Sequence, residues 1–259
     1  MLGYKKYLPS SQHTPYQLYD ALTLKASAKS ADAVVVSSKL EYEDAVEFGI
    51  QKTKLHVIPM GIDVDEYVDN PINPNGDAIN ILFVGRIARV RRIEILLQAV
   101  AKLSIPFHVT LVGGEEKTSS LSRSGYLDEL KKLCKDLNIN DRVTFVGPVA
   151  QNELFNWYSK GDIFVYPSLY ENFGQPILEA AAAGLPIVST PVGVAQEIIT
   201  DNETGFLFNG DDQELANRIT QLTDQNLRKK IGGAVRERVR SLYGWEGIIK
   251  QYLDLYRSL

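Results

Sequence analysis

Cysteine is almost missing from the 259 residues: the single Cys134 cannot close an intramolecular disulfide and cannot by itself build a zinc site, which fits a reducing compartment. Histidine is nearly as scarce. His13, His56 and His108 are too scattered to suggest a metal cluster, and His56 and His108 fall in or beside strand-like runs, where they read as structural. Cationic excess is absent too. Lys and Arg number 28 against 32 Asp and Glu, a formal charge of −4, so no overall basic field draws the chain to nucleic acid or to an anionic membrane. Any anionic ligand has to be met by local groups. No apolar run approaches the ~18 residues of a membrane span and no secretory leader is read ahead of Gly3, so a cytoplasmic protein is expected. Two nucleotide signatures are also lacking. Gly-x-Gly-x-x-Gly follows none of the strand-like runs and Gly-Lys-Ser/Thr occurs nowhere, which argues against a dehydrogenase and a nucleoside triphosphatase.

What is present is an ordinary globular composition, 44% hydrophobic and 23% charged, arranged in a regular alternation. Short β-branched runs at 33–36, 55–58, 79–84, 107–112, 143–146, 163–166 and 187–189 alternate with helical patterns at 93–103, 126–137, 152–158 and 177–183. Two more helical patterns, 213–222 and 227–242, follow the last run. Several runs are continuously apolar, as strands covered on both faces should be. The expected fold class is therefore α/β, a Rossmann-like, doubly wound parallel sheet. Pro71, Pro74 and Gly76 break the pattern at 67–77, which places a linker between an incomplete α/β segment at 1–66 and a main domain at 78–243. A last helix at 244–259 carries Ile248, Ile249, Tyr252, Leu253 and Tyr256 at spacings of three and four, a stripe that must dock. No internal repeat or low-complexity tract is present.

Open α/β sheets bind ligands beyond the carboxyl ends of their strands. After run 79–84 come Gly85 and Arg86, then Arg89, Arg91 and Arg92 just ahead of a helix. Cations oppose the dipole at a helix start, so these residues suggest a phosphate, which the planar guanidinium fork matches well. After run 163–166 the chain reads Glu171-Asn172-Phe173-Gly174-Gln175-Pro176 and then Glu179 on a helix. Pro176 suits the first turn, Gly174 lets backbone approach a ligand, and the amides around Phe173 to Gln175 form an anion site. Glu171 and Glu179 can accept from sugar and ribose hydroxyls, although isolated glutamates of this kind are also common surface residues. Gly113-Gly114 and Gly147-Pro148 end two further runs and are equally readable as tight turns.

These residues match a known pattern. Phe83-Val84-Gly85-Arg86, the stretch from Glu171-Asn172-Phe173-Gly174-Gln175 to Glu179-Ala180, and Ala183-Gly184-Leu185-Pro186-Ile187-Val188 resemble the nucleotide-sugar domain of retaining glycosyltransferases of family 4, which have the GT-B fold. Val57-Ile58-Pro59-Met60-Gly61-Ile62-Asp63 is similar to that family's interdomain hinge, and Gly205-Phe206-Leu207 and Trp245-Glu246 to its closing motifs. The resemblance implies that Arg86 and Arg91 grip the donor diphosphate, with Arg91 where the family usually has Lys. It also implies that Glu171 and the amides of Phe173, Gly174 and Gln175 contact the donor sugar, that Glu179 contacts the ribose, and that Gly85 and Gly147 line the donor site, Gly147 near the base. No metal and no cofactor is implied; the nucleotide-diphospho-sugar is a substrate, and charge stabilisation of the leaving diphosphate is the main catalytic device.

Two departures stand out. Arg92 replaces the family's usual Gly, and Gly193-Val194 stands where Gly-Gly is common. Most of the acceptor domain is also missing, and His13 is not assigned the role of that domain's functional His. The chain is then a piece of a longer protein, a short protein completed by a homodimer or partner chain, or one that has lost transfer. The expected acceptor is a sugar, a lipid-linked sugar or another small molecule, and a lipid-linked one would bring the protein to the inner membrane face. A non-catalytic sugar-nucleotide-binding subunit is the first rival reading, and a GT-B-like epimerase or phosphorylase the second.

Overall fold

A computed structural model describes residues 23–67, 78–115 and 125–259. The first elements are α1 (Lys25–Ser30), β1 (Val34–Val36), α2 (Lys39–Glu47) and β2 (Leu55–Val57), with β1 and β2 paired in parallel. The main sheet is built by β3 (Ile79–Val84), α3 (Ile93–Ala101), β4 (Phe107–Val112), α4 (Tyr126–Asp136), β5 (Val143–Gly147), α5 (Leu154–Tyr158), β6 (Ile163–Tyr166), α6 (Gln175–Ala182), β7 (Ile187–Ser189), α7 (Ala195–Ile198) and β8 (Phe206–Leu207). Three helices follow, α8 (Asp212–Gln221), α9 (Gln225–Tyr243) and α10 (Trp245–Ser258). Among the described residues no helix is long and apolar enough to cross a membrane.

The six strands of the main sheet are parallel and lie in the order β5-β4-β3-β6-β7-β8. Counted from β3 this is the doubly wound order, in which the chain leaves β3 toward one edge and β6 toward the other. Right-handed crossovers then send the connecting helices to opposite faces. Helices α3, α4 and α8 pack together in one layer, and α6, α7 and α9 in the other. Covered on both sides, β6 buries all four of its side chains. Phe83, Phe164 and Tyr166 stack across the middle strands, with Phe83 and Tyr166 ring centroids 5.7 Å apart.

The strands expected at 79–84, 107–112, 163–166 and 187–189 form over those residues. Phe206–Leu207 is too short to read as a strand by alternation, yet both residues pair with β7 and complete the sheet. The expected single stripe on the last helix divides in two. Ile248 and Leu255 are buried and Tyr252 half-buried against Ile58 and Ala33, while Ile249, Leu253 and Tyr256 stay exposed. The seam that docks is 248, 252 and 255, because only that row faces the end of β2. Most of the expected linker at 67–77 and the first part of 1–66, His13 included, lie outside the described residues. Tyr67 is buried, its ring 4.7 Å from Phe155 and 6.1 Å from Tyr158.

Helix α9 meets the turn after α6 so closely that a Cβ on Gly232 would sit 2.0 Å from the Gly184 carbonyl oxygen, whereas one on the neighbouring Gly233 would meet nothing within 4 Å. Gly233→Ala should therefore raise stability by up to about 1 kcal/mol through helix propensity alone. Gly232→Ala gains the same propensity but has to push two backbones apart, and should lower stability by about 1–3 kcal/mol. Urea unfolding of both variants checks this, and equal effects would show that the close approach is not real.

Candidate functional site

The two crossovers diverge between β3 and β6, which are hydrogen-bonded neighbours with Ile81 opposite Ile163 and Leu82 opposite Phe164. The segments that leave these two strand ends carry most of the expected site residues. Gly85 follows β3, and its N–H donates to the Val112 carbonyl at 2.9 Å; Gly113 donates in turn to the Gly147 carbonyl at 2.9 Å, so the ends of β3, β4 and β5 stay aligned. A Cβ on Gly113 would lie 1.9 Å from the Gly85 oxygen, which gives this glycine a packing reason for its identity.

Arg86 is exposed at the rim, and Arg91 is 6% exposed. The Arg91 Nη1 forms an ion pair with Glu171 Oε2 at 2.5 Å and donates to Ser168 Oγ and the Tyr170 carbonyl, both at 3.1 Å. Its guanidinium also lies over the Tyr166 ring, 5.5 Å from the centroid. Glu171 accepts a second hydrogen bond from the Tyr166 hydroxyl at 2.9 Å. Burial pushes the Tyr166 phenol well above its ordinary range, against the opposing pull of Arg91 and Arg86, so that hydroxyl remains a donor and the charge of Arg86 reaches the same crevice.

Gly174, at φ 92°, caps α6, and Pro176 occupies its first turn. Among the described residues no acceptor takes the amides of Phe173, Gly174 or Gln175, which leaves the helix start open toward the crevice. Glu179 is 4% exposed on α6, where it accepts from the Tyr158 hydroxyl at 2.7 Å and from Gln151 Nε2 at 3.4 Å. Four buried side-chain atoms among the described residues lack a hydrogen-bond partner, and three of them, Arg91 Nε, Asn172 Oδ1 and Gln175 Oε1, belong to this one crevice. Such atoms cost about 1–3 kcal/mol each unless something satisfies them, so the crevice offers a polar molecule groups that the protein itself does not pair.

Not every residue of the arginine cluster takes part. Arg89 pairs with Glu129 at 2.5 Å and lies over the Tyr126 ring, and Arg92 turns away to donate to the Gly210 carbonyl at 2.8 Å. Arg92 adopts φ 51°, ψ 42°, a left-handed conformation that glycine takes without strain, and its contact with the Gly210 carbonyl offsets part of the cost of a side chain there. The second departure is absorbed. Gly193 is the close-approach position, since a Cβ there would lie 2.2 Å from the Phe173 oxygen, while Val194 is buried and only its N–H is needed, donating to that oxygen at 2.6 Å. Sequence reasoning missed Ser168, Tyr170, Tyr158 and Gln151. Ser168 and Tyr170 were legible as hydroxyls just past a strand end; Tyr158 and Gln151 carry no local signal.

Parallel sheet, strand-order reversal, paired Arg and Glu at the reversal and an open helix start together define a doubly wound α/β protein with a polar crevice at its switch point. The family model described as glycosyl transferases group 1 matches residues 65–238, and that of glycosyltransferase family 4 matches residues 3–66. The chain belongs to the group 1 glycosyltransferases, with the GT-B architecture that the sequence resemblance implied. It is 30% identical over 247 residues to the D-inositol 3-phosphate glycosyltransferase of Corynebacterium urealyticum, a match covering 89% of this chain and 57% of that protein. Over 251 residues it is also 30% identical to an uncharacterized glycosyltransferase of Methanocaldococcus jannaschii, covering 92% and 62%. The chain thus spans about 60% of the length of these relatives. Among solved structures, a sucrose-phosphate synthase from Thermosynechococcus elongatus superposes with a TM-score of 0.83 at 32% identity, covering 100% of this chain and 66% of that one. The Anabaena protein HepE, solved with UDP-glucose, has the same fold at a TM-score of 0.83 and 23% identity, covering 98% and 70%.

Burial raises the Glu179 carboxyl above its ordinary value of 4.5, while the hydrogen bonds from Tyr158, Gln151 and Gln175 pull it back. The folded chain therefore keeps a proton on Glu179 at pH values where the unfolded chain has released it, and stability falls as pH rises through that window. Glu179→Gln keeps an acceptor for Tyr158 and removes the charge. The variant's stability relative to the parent should improve as pH rises above the ordinary carboxyl range and then level off, as read by urea unfolding; a difference independent of pH would show that Glu179 carries no burial penalty.

Proposed function

We propose that this chain is the donor-binding half of a retaining hexosyltransferase that takes its sugar from a nucleoside diphosphate. The observation that carries the reading is the buried Arg91–Glu171 pair at the strand-order reversal, set among polar atoms with no partner of their own. Arg91 and the rim cation Arg86 are placed to hold the diphosphate, and the open amides at the start of α6 add a fixed positive potential beside it. Charge on the leaving diphosphate grows as the glycosidic bond breaks. Donors already aimed at that charge stabilise the transition state more than the ground state, which is what accelerates the step. Glu171 faces the sugar hydroxyls and Glu179 the ribose. The departing phosphate oxygen then takes the acceptor proton on the same face of the sugar, which gives retention without a protein nucleophile.

Transfer also needs the acceptor hydroxyl held at the anomeric carbon in a cleft closed to water, positioning that can be worth about 7–11 kcal/mol of barrier. The six-stranded sheet supplies one wall, and the two-stranded unit is small for the other. We infer that an acceptor wall from a longer polypeptide or a partner chain completes the cleft, with the acceptor a sugar, a lipid-linked sugar or another small molecule. No cofactor and no metal enters this scheme.

The reading is tested by calorimetry with nucleoside diphosphates and their parent nucleosides. Arg86→Ala and Arg91→Ala should each weaken diphosphate binding by about 1.5–3 kcal/mol and leave nucleoside binding nearly unchanged. Equal losses on both ligands would sink the diphosphate role. The two glutamates should part company in a second comparison. Glu179→Gln should penalise ribonucleotides and spare 2′,3′-dideoxy analogues, while Glu171→Gln should spare the free nucleotide and penalise the nucleotide sugar; identical behaviour of the two variants would reverse the assignment.

A further inference from the structure

Glu171 hangs between two residues that are both fastened from outside the main sheet. The hydroxyl of Tyr170 donates to Asp44 Oδ2 at 2.9 Å, and Ser38 Oγ donates to the Asn172 carbonyl at 2.6 Å. Both partners belong to α2 and its cap, 126 and 134 positions earlier in the chain. Neither contact is a surface accident. Asp44 and Tyr170 are each 8% exposed and Ser38 is fully buried. Ser38 also caps α2, its oxygen accepting from the Glu41 amide at 3.1 Å, so one hydroxyl both ends the helix and holds the loop.

The same helix reaches the other arm of the pair. Leu40 packs on a small apolar cluster of Ala88, Val90 and Tyr170, and the Leu169 amide donates to the Val90 carbonyl at 2.7 Å, so the segment carrying Arg91 and the loop carrying Glu171 meet beneath α2. Tyr170 is the junction of this arrangement. Its side chain answers to Asp44 while its carbonyl accepts from Arg91 Nη1 at 3.1 Å, and Ser168 Oγ donates to that same carbonyl at 2.9 Å. Burial keeps the Tyr170 phenol well above its ordinary range, so it remains a donor to Asp44.

We propose that Asp44 and Ser38 are positioning residues for the Arg91–Glu171 pair, acting through Tyr170 and Asn172, so that the two-stranded unit sets the geometry of the donor diphosphate and sugar contacts. This rests on the reading of Arg91 and Glu171 as those contacts. A binding constellation has to be held within about 0.5 Å of its working geometry by its supporting shell, and here the support comes from a helix outside the sheet that bears the site. Displacing α2 moves Glu171 by both of its neighbours at once.

The experiment uses the full chain and whichever of UDP, GDP and ADP it binds most tightly, with the parent nucleoside as the control ligand. Tyr170→Phe and Asp44→Ala should each weaken diphosphate binding about tenfold while changing nucleoside binding less than about twofold, and the double variant should be no weaker than either single one. Asp44→Asn retains an oxygen that can accept from the Tyr170 hydroxyl and should restore most of the loss. Ser38→Ala should weaken the nucleotide sugar more than the free diphosphate, because its anchor lies on the Asn172 side of Glu171. Near-ultraviolet circular dichroism establishes that each variant is folded, and if Asp44→Ala is not, Tyr170→Phe, which removes one hydroxyl, carries the test. Unchanged diphosphate affinity in folded Tyr170→Phe, or an equal loss on the nucleoside, overturns the positioning role while leaving the donor reading intact. A parent chain that binds no diphosphate better than its nucleoside overturns the donor reading and this inference with it.

Discussion

The reversal of strand order between β3 and β6 is the constraint from which the rest follows. Two parallel neighbours whose following helices depart to opposite faces leave a gap at their carboxyl ends that no crossover covers. Chain leaving β3 and chain leaving β6 must both line that gap, which is why Arg91 and Glu171 meet although 80 positions separate them in sequence. The helix start of α6 opens into the same place. A charged pair, open amides and orphaned polar atoms therefore gather where the backbone topology leaves room, and the remainder of the sheet is free to be a dry core of stacked Phe83, Phe164 and Tyr166.

Burying a guanidinium and a carboxylate together is not in itself a route to stability, because desolvation consumes most of the Coulombic gain. Arg91 is surrounded accordingly: Glu171, Ser168 and the Tyr170 carbonyl take Nη1, the Tyr166 face lies beneath, and Nε is buried without a partner. Such an environment fixes a cation in place rather than stabilising the fold around it. Arg89 and Arg92, a few residues away, show the contrast. Both are spent on ordinary structural contacts, one with Glu129 and one with the Gly210 carbonyl.

What could be read from the chain depended on length scale. Strands β3, β4, β6 and β7 were legible because each is a dense apolar run bounded by turn residues, and the Glu171 to Glu179 stretch was legible because its glycine, proline and carboxylates are local. Leu207 in β8 was not, since two residues cannot display an alternation and its strand status comes only from lying beside β7. Which arginines would turn inward was equally hidden: four guanidinium groups share one short segment, and only the packed β3–α3 junction separates Arg91 from Arg92. The contacts made by Ser38, Asp44 and Tyr158 left no trace in sequence because each joins residues brought near solely by the tertiary fold.

The composition break at 67–77 looks like a natural place to cut the polypeptide, but free energy is not partitioned where composition is. The Arg236 guanidinium donates to the Tyr67 carbonyl at 2.9 Å, the Ile62 amide donates to the Tyr243 carbonyl at 2.8 Å, α10 rests on Ile58, and the Tyr170 hydroxyl is held by Asp44. A shortened polypeptide that starts after the break would strip partners from Tyr170 and Arg236 and bare the row of Ile248 and Leu255. What such a truncation isolates is then an altered molecule rather than a miniature of the whole, and ligand affinities measured on it would describe a loop that has lost its brace.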